Sequence, residues 1–167
     1  GGGGGDGSSV TVTNTGKIQT GDTHSQGILA LSLGGRGGNG GGASGLVAVG
    51  GAGGEGGSAS TVTVKNGSAS VVETDQGTNE WVVNGNILSV QSQGIQAQSV
   101  AGGGGDGGNS GALFISVGGD TSACSGTCDS AGAVSVTNTG ASITALKAAI
   151  FAQSVGGGGG AGGSSGG

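Results

Sequence analysis

Runs of glycine recur after the same short apolar stretch at several places in this chain, and no feature restricts its fold more. Gly94-Ile95-Gln96-Ala97-Gln98-Ser99-Val100 runs into Gly102 to Gly105, and Ile150-Phe151-Ala152-Gln153-Ser154-Val155 runs into Gly156 to Gly160. Gly27-Ile28-Leu29-Ala30-Leu31-Ser32-Leu33 likewise precedes a glycine tract. Glycine supplies 48 of 167 residues and proline none, so the tracts are not ordinary Pro-containing linker. Ordering glycine costs more backbone entropy than ordering any other residue. The absence of Cβ, however, lets two backbones approach closely. The tracts are therefore expected to run as extended three-per-turn segments of polyproline-II type, bonded laterally to one another or to neighbouring strands. They are also expected to cover the outward Leu29, Leu31 and Leu33. The alternative is a flexible, elastic linker, the reading that composition alone favours.

Repeats are sought before any other element. Upstream of each glycine tract stands a V-x-V-x-N word. Val10-Thr11-Val12-Thr13-Asn14 matches Val134-Ser135-Val136-Thr137-Asn138, and Val82-Val83-Asn84 is aligned with them in the second copy. Thr61-Val62-Thr63-Val64-Lys65-Asn66-Gly67 then reads as a duplicated strand in a longer second unit. The repeat predicts modules at about residues 8–57, 58–119 and 132–167, with a cysteine loop at 120–131. A glycine-flanked strand follows twice more, at Leu46 to Val49 and at Leu113 to Val117. Ser32 to Val49 and Ser99 to Val117 are steps of 17 and 18 residues, which suggests one rung each. The larger unit is uneven, 67 residues from Ser32 to Ser99 and 55 from Ser99 to Ser154.

Alternation of Val and Thr, closed by Asn-Thr-Gly or Asn-Gly, is a strand-and-turn signal. Side chains alternate faces along a strand, so the repeated positions mark the inner face. Ile28, Ala30 and Ser32 match Ile95, Ala97 and Ser99 and then Ile150, Ala152 and Ser154. Val10, Val12 and Asn14 match Val134, Val136 and Asn138. These fifteen residues are the expected core, and the asparagines are expected to stack as an amide ladder. Ala145 to Phe151 has helical propensity but stands where the other copies carry linker and strand, so it is read as strand. The fold class expected is all-β: a repeat β-solenoid, parallel β-helix-like, with extended polyglycine segments.

Composition excludes several functions. Aromatic residues are 2% and charged residues 8%, so any core is narrow and built from Val, Ile, Ala and Leu. The net charge of −5, with only four Lys plus Arg, argues against nucleic acid and against a polybasic membrane contact. No apolar run reaches the roughly 18 residues that span a bilayer. With glycine runs at both ends, the chain is expected to be a window on a longer array.

Cys124 and Cys128 are too few for a four-ligand zinc site, and the only histidine, His24, is far away in sequence. A short disulfide loop is the preferred reading, with free thiols as the alternative. It implies an oxidising compartment and a stabilisation on the order of 2 kcal/mol or less. Asp22, His24 and Ser25 resemble a triad in composition only. A triad must converge in space, neighbours on an extended strand diverge, and neither other copy has these residues, so a solvated turn is expected. Asp6 and Asp106 end glycine runs that lack the tandem nine-residue pattern of calcium-binding repeats. No Gly-Lys-Ser/Thr follows a tract, so phosphate loops are not expected. Trp81 is read as packing in preference to sugar stacking. Thr11, Thr13, Thr61 and Thr63 are read as outward strand residues, because they do not recur at every rung as an ice-binding array would require.

The words Gly94-Ile95-Gln96-Ala97-Gln98-Ser99-Val100 and Ala152-Gln153-Ser154-Val155-Gly156 resemble the passenger repeats of large proteobacterial autotransporter-type adhesins. The third copy departs from them, with Ala149 where the others have Gly27 and Gly94. The resemblance implies a β-solenoid stalk, exported and displayed outside the outer membrane, and a closely spaced cysteine pair fits such export. It implies a structural role without catalysis, cofactor or metal. The expected partners are other copies of the chain or adjacent repeats of a longer one, and a host or environmental surface. The alternatives are a glycan- or ice-binding module and the elastic linker.

Overall fold

The computed structural model describes residues 1–21, 25–73, 79–84, 86–89, 92–121 and 130–167, with the backbone alone for 68–73, 79–84, 88 and 89. The described residues form strands and extended segments, with no helix. In chain order the strands are β1 (Val10–Asn14), β2 (Ile18–Thr20), β3 (Ile28–Leu33), β4 (Ala43–Val49), β5 (Val62–Asn66), β6 (Ser68–Glu73), β7 (Asn79–Asn84), β8 (Ile87–Ser89), β9 (Ile95–Val100), β10 (Ser110–Val117), β11 (Val134–Asn138), β12 (Ile143–Ala145), β13 (Ile150–Val155) and β14 (Ser165–Gly166).

Four parallel three-stranded sheets each take one strand from each module. Their orders are β1-β5-β11, β2-β8-β12, β3-β9-β13 and β4-β10-β14, with the second module always in the middle. The register is residue for residue where the repeated words demand it: Ile28, Ile95 and Ile150 are partners, as are Ala30, Ala97 and Ala152, and Ser32, Ser99 and Ser154. A one-residue slip would turn the apolar set outward, so burial of one face holds the register. β6 and β7 form an antiparallel pair inserted between β5 and β8.

Two expectations about the repeat are corrected. The second V-x-V-x-N word is Val62 to Asn66, which pairs with both Val10–Asn14 and Val134–Asn138. Val82, Val83 and Asn84 lie instead on β7 of the inserted hairpin. The 17- and 18-residue steps are not stacking periods either. β4 pairs with β10 and not with β3, so stacking follows the uneven 67- and 55-residue unit. The stretch read as strand from Ala145 to Phe151 is broken, since β12 ends at Ala145 and β13 begins at Ile150.

The core lies between the first and third of these sheets, closed by the second. Ile28, Ala30, Val62, Val64, Ile87, Ile95 and Ala97 form it, with Val10, Val12, Ile18, Val134, Val136 and Ile143 half-buried against it. Burial depends on position in the stack. Ile95 is 0% exposed, whereas Ile150, its register partner, is 41% exposed. Ala152, Ser154 and Asn138, also expected inside, are exposed as well. They occupy the same columns as their buried counterparts, but within residues 1–167 no further module lies over the third to cover them.

Polar columns run beside the apolar ones. Asn14 Nδ2 donates to Asn66 Oδ1 at 2.8 Å, and Asn66 Nδ2 donates to Asn138 Oδ1 at 2.7 Å. This is the expected amide ladder, with Asn66 as its buried middle rung. Gly67 and Gly140 follow these asparagines with φ of 85° and 67°, a left-handed turn that glycine adopts without penalty. Ser32 Oγ donates to Ser8 O and accepts from the Ser60 N–H. Ser99 Oγ repeats this with Ser60 O and the Gly132 N–H, and Ser154 Oγ donates to Gly132 O. Each serine thus ties the end of one sheet to the segment entering another, and none of these three hydroxyls is left unpaired.

Candidate functional site: the glycine lattice and the exposed faces

The glycine tracts pack against one another, and their hydrogen bonds repeat every three residues. Six tracts are involved: 1–7, 34–42, 50–58, 101–109, 118–121 and 156–164. Gly34, Gly37 and Gly40 donate to the carbonyls of Val100, Gly103 and Asp106. Gly35 and Gly38, one position on, donate the opposite way to Gly5 and Gly2. Gly51, Gly54 and Gly57 donate to Gly41, Gly38 and Gly35, while Gly102, Gly105 and Gly108 donate to Gly57, Gly54 and Gly51. A step of three is the turn of a polyproline-II helix, which makes no internal bonds and must pair outside itself. Tracts 1–7, 50–58 and 118–121 form one parallel row, with Gly4 donating to Glu55 and Gly53 to Asp120. Tracts 34–42, 101–109 and 156–164 form a second parallel row running antiparallel to the first.

Such packing leaves no room for a side chain where one tract lies directly on the backbone of the next. A Cβ on Gly34, Gly37 or Gly40 would collide with the carbonyls of Gly57, Gly54 and Gly51, and one on Gly54 with the carbonyl of Gly2. The third residue of each turn faces out, and there the sequence carries Arg36 and Asn39, Ala52, Glu55 and Ser58, Asp106 and Asn109, and Ala161 and Ser164. Its N–H points away from the lattice, and a side chain of the next tract in the row meets it in four places. Asn39 Oδ1 accepts from Asp106 N–H, Asp106 Oδ1 from Ala161 N–H, Asn109 Oδ1 from Ser164 N–H and Asp6 Oδ1 from Ser58 N–H. Arg36 lies 3.6 Å from Asp106 on the same exposed face. Sequence reasoning did not single out these caps. The signal was present: in a Gly-Gly-X run, Asp or Asn falls repeatedly on X.

The glycine lattice does not cover the leucine stripe as expected. Leu29, Leu31 and Leu33 are exposed, because the tracts pack on each other and not on the outer face of β3. That face continues to Gln96 and Gln98 on β9 and Phe151 and Gln153 on β13, with Gln98 Nε2 donating to Gln153 Oε1. A second apolar surface lies on β4 and β10. Two residues of β10, Leu113 and Phe114, oppose Leu46 alone, a bulge that re-aims side chains. They are 80% and 79% exposed, beside exposed Leu46, Val47, Val49, Ile115 and Val117.

The chemical candidates are placed as follows. Cys124, Cys128, Asp22 and His24 lie outside the described residues, so neither the disulfide nor the triad composition is placed. Ser25 gives its carbonyl to Thr20 Oγ1 at 2.7 Å. Trp81 is on β7, where the backbone alone is described. Asp6 and Asp106 serve as caps of the glycine rows, and among the described residues no three His, Cys, Asp or Glu side chains come together. The threonine column on the first sheet runs Thr11, Thr63, Ser135, and its neighbour Thr13, Lys65, Thr137 is interrupted by a lysine. No helix among the described residues is long and apolar enough to cross a membrane. No family model, no curated protein and no solved structure matches this chain.

Proposed function

We propose that this chain is a structural, non-enzymatic segment of a bacterial cell-surface or secreted adhesin or filament, and that its modules are the coils of a β-solenoid. One observation carries the reading: every repeated inward residue pairs in register with its counterpart in the next module, while the glycine tracts bond backbone to backbone. Repeat stacks of this kind gain stability from nearest-neighbour interfaces. Each added coil lengthens the stack by about 4.8 Å, the spacing between paired strands. The glycine tracts broaden each coil, by about 28 Å for nine residues at 3.1 Å each, into a stiff slab with little apolar side chain to bury. The role that follows is reach and presentation: a scaffold carrying the apolar faces of β3 and β4–β10 towards a surface or a neighbouring copy. Export from the cell rests on the resemblance to adhesin passengers and on the cysteine pair.

The test is made on the purified 167-residue chain. Circular dichroism with a sheet component and a polyproline-II component, lost together in one cooperative melt, is expected. A random-coil spectrum with uniformly fast amide exchange over the tracts would establish the elastic-linker reading instead. Binding of the chain to a glycan array, or thermal hysteresis, would move the reading to a ligand-binding module.

A further inference from the structure

Among the residues that differ between the three modules, Ala149 falls where its two counterparts have no space for a methyl group. The residue just before β3, β9 and β13 is Gly27, Gly94 and Ala149. A Cβ on Gly27 would lie 2.5 Å from Cγ2 of Ile87 and 2.6 Å from the carbonyl oxygen of Gly94, both in the second module. A Cβ on Gly94 would meet Cγ2 of Ile143 and the carbonyl oxygen of Ala149, the latter at 2.6 Å, both in the third module. In each case the missing methyl points at the next module, and one of the obstacles is backbone, which no rotamer change relieves. Ile18, Ile87 and Ile143 are register partners, so the isoleucine column that fills this corner runs through all three modules.

Ala149 carries the methyl that its two counterparts lack, and it is exposed, on the side where a further module would sit. Elsewhere the third module is ready to be continued. Ser154 Oγ donates to Gly132 O as Ser32 and Ser99 do to their partners, and the column Ile150, Ala152, Ser154 keeps the register of the buried one. The steric obstacle is therefore a single methyl group. We infer that Ala149 makes the edge formed by β11, β12 and β13 a stop against any further module stacked in this register. The opposite edge, formed by β1, β2 and β3, remains open to one kind of partner: a module of this same design with glycine at the corner, placed over Ile18. Two wild-type copies therefore cannot join end to end, because the stop of one would meet Ile18 of the other. Ordered repeat proteins need such ends, since an unprotected strand edge recruits further strands. The inference rests on the stacked-coil reading above.

Two measurements test it. Ala149→Gly, in the full chain, supplies the missing partner, so sedimentation at concentrations where the wild type is monomeric should show dimers and longer end-to-end species. Amide exchange at Ile143–Ala145 and Ile150–Val155 should slow in the same samples. Gly94→Ala tests the corner inside one chain: its melting temperature should fall well below that of the wild type, and Ile143→Ala should partly restore it. A wild type that already assembles through these edges overturns the inference. So does a folded Ala149→Gly chain that stays monomeric, or a Gly94→Ala chain that melts like the wild type. A wild type that is random coil defeats the functional reading itself, which separates the two failures.

Discussion

The strand-built part of this molecule and the glycine lattice beside it solve the same problem by opposite means. In the strands, specificity comes from side chains: Ile28, Ile95, Val62 and Val64 fill a narrow interior, and the pleat sends every second residue there. In the lattice, specificity comes from their absence: glycine stands wherever a Cβ would strike the neighbouring tract's backbone, as at Gly34, Gly37, Gly54 and Gly105, and the backbone supplies the contact surface and the hydrogen bonds. The strands resist loss of volume, and the lattice resists its gain. Glycine is destabilising in ordinary elements because it orders at high entropic cost. Here that cost is offset by dense backbone pairing, with two of the three N–H groups engaged inside the lattice in each of the turns 34–36 and 37–39.

Substitutions in the two regions should therefore have opposite signs of size dependence. Ile95→Ala removes a fully buried side chain of the middle module and should destabilise by about 4 kcal/mol, read from denaturant unfolding. Ile150→Ala, in the same column but uncovered, should cost well under half as much. A similar loss at both positions would mean that something covers the third module in solution. Gly54→Ala adds one methyl against the backbone of Gly1 and Gly2, and it should cost about 3 kcal/mol although alanine is the better residue in most elements. An unchanged midpoint for this variant would refute close packing of the tracts.

Smaller effects sharpen the contrast. Asn66→Ala leaves Asn14 Nδ2 and Asn138 Oδ1 without their partner and should cost about 2 kcal/mol in thermal unfolding. Its hydrogen bonds do for the strand columns what backbone pairs do for the tracts. Gly41 lies in the same tract as Gly37 and Gly40, yet a Cβ there meets nothing within 4 Å. Gly41→Ala should be neutral or stabilise by about 0.5 kcal/mol, through the unfolded chain. A loss as large as that of Gly54→Ala would show that further contacts surround tract 34–42.

Much of the strand-built part was legible because identical residues at identical spacing expose the inner face directly. The Ile-Ala-Ser words of β3, β9 and β13 align in register as read, and so does the ladder from Asn14 to Asn138. Two V-x-V-like words compete in the second module. Local pattern favours neither Val62 to Asn66 nor Val82 to Asn84 decisively, and only pairing with β1 and β11 chooses between them. The exposure of Ile150, Ala152 and Ser154 was illegible because burial in a stack depends on the neighbour beyond, which a residue's own sequence context does not contain.

Sequence alone determined the alternation of strand and glycine tract, the inward set of each strand, and the exclusion of a large aromatic core. These follow from local chemistry: side-chain period, turn residues and the missing Cβ. Tertiary structure decided the rest: which strands are partners, how the tracts divide into two antiparallel rows, that Asp6, Asn39, Asp106 and Asn109 cap neighbouring backbones, and that Gly94 has no room for a methyl. The reason is physical. Each of these depends on atoms about 10 to 70 positions away in the chain, and only folding brings them within bonding distance.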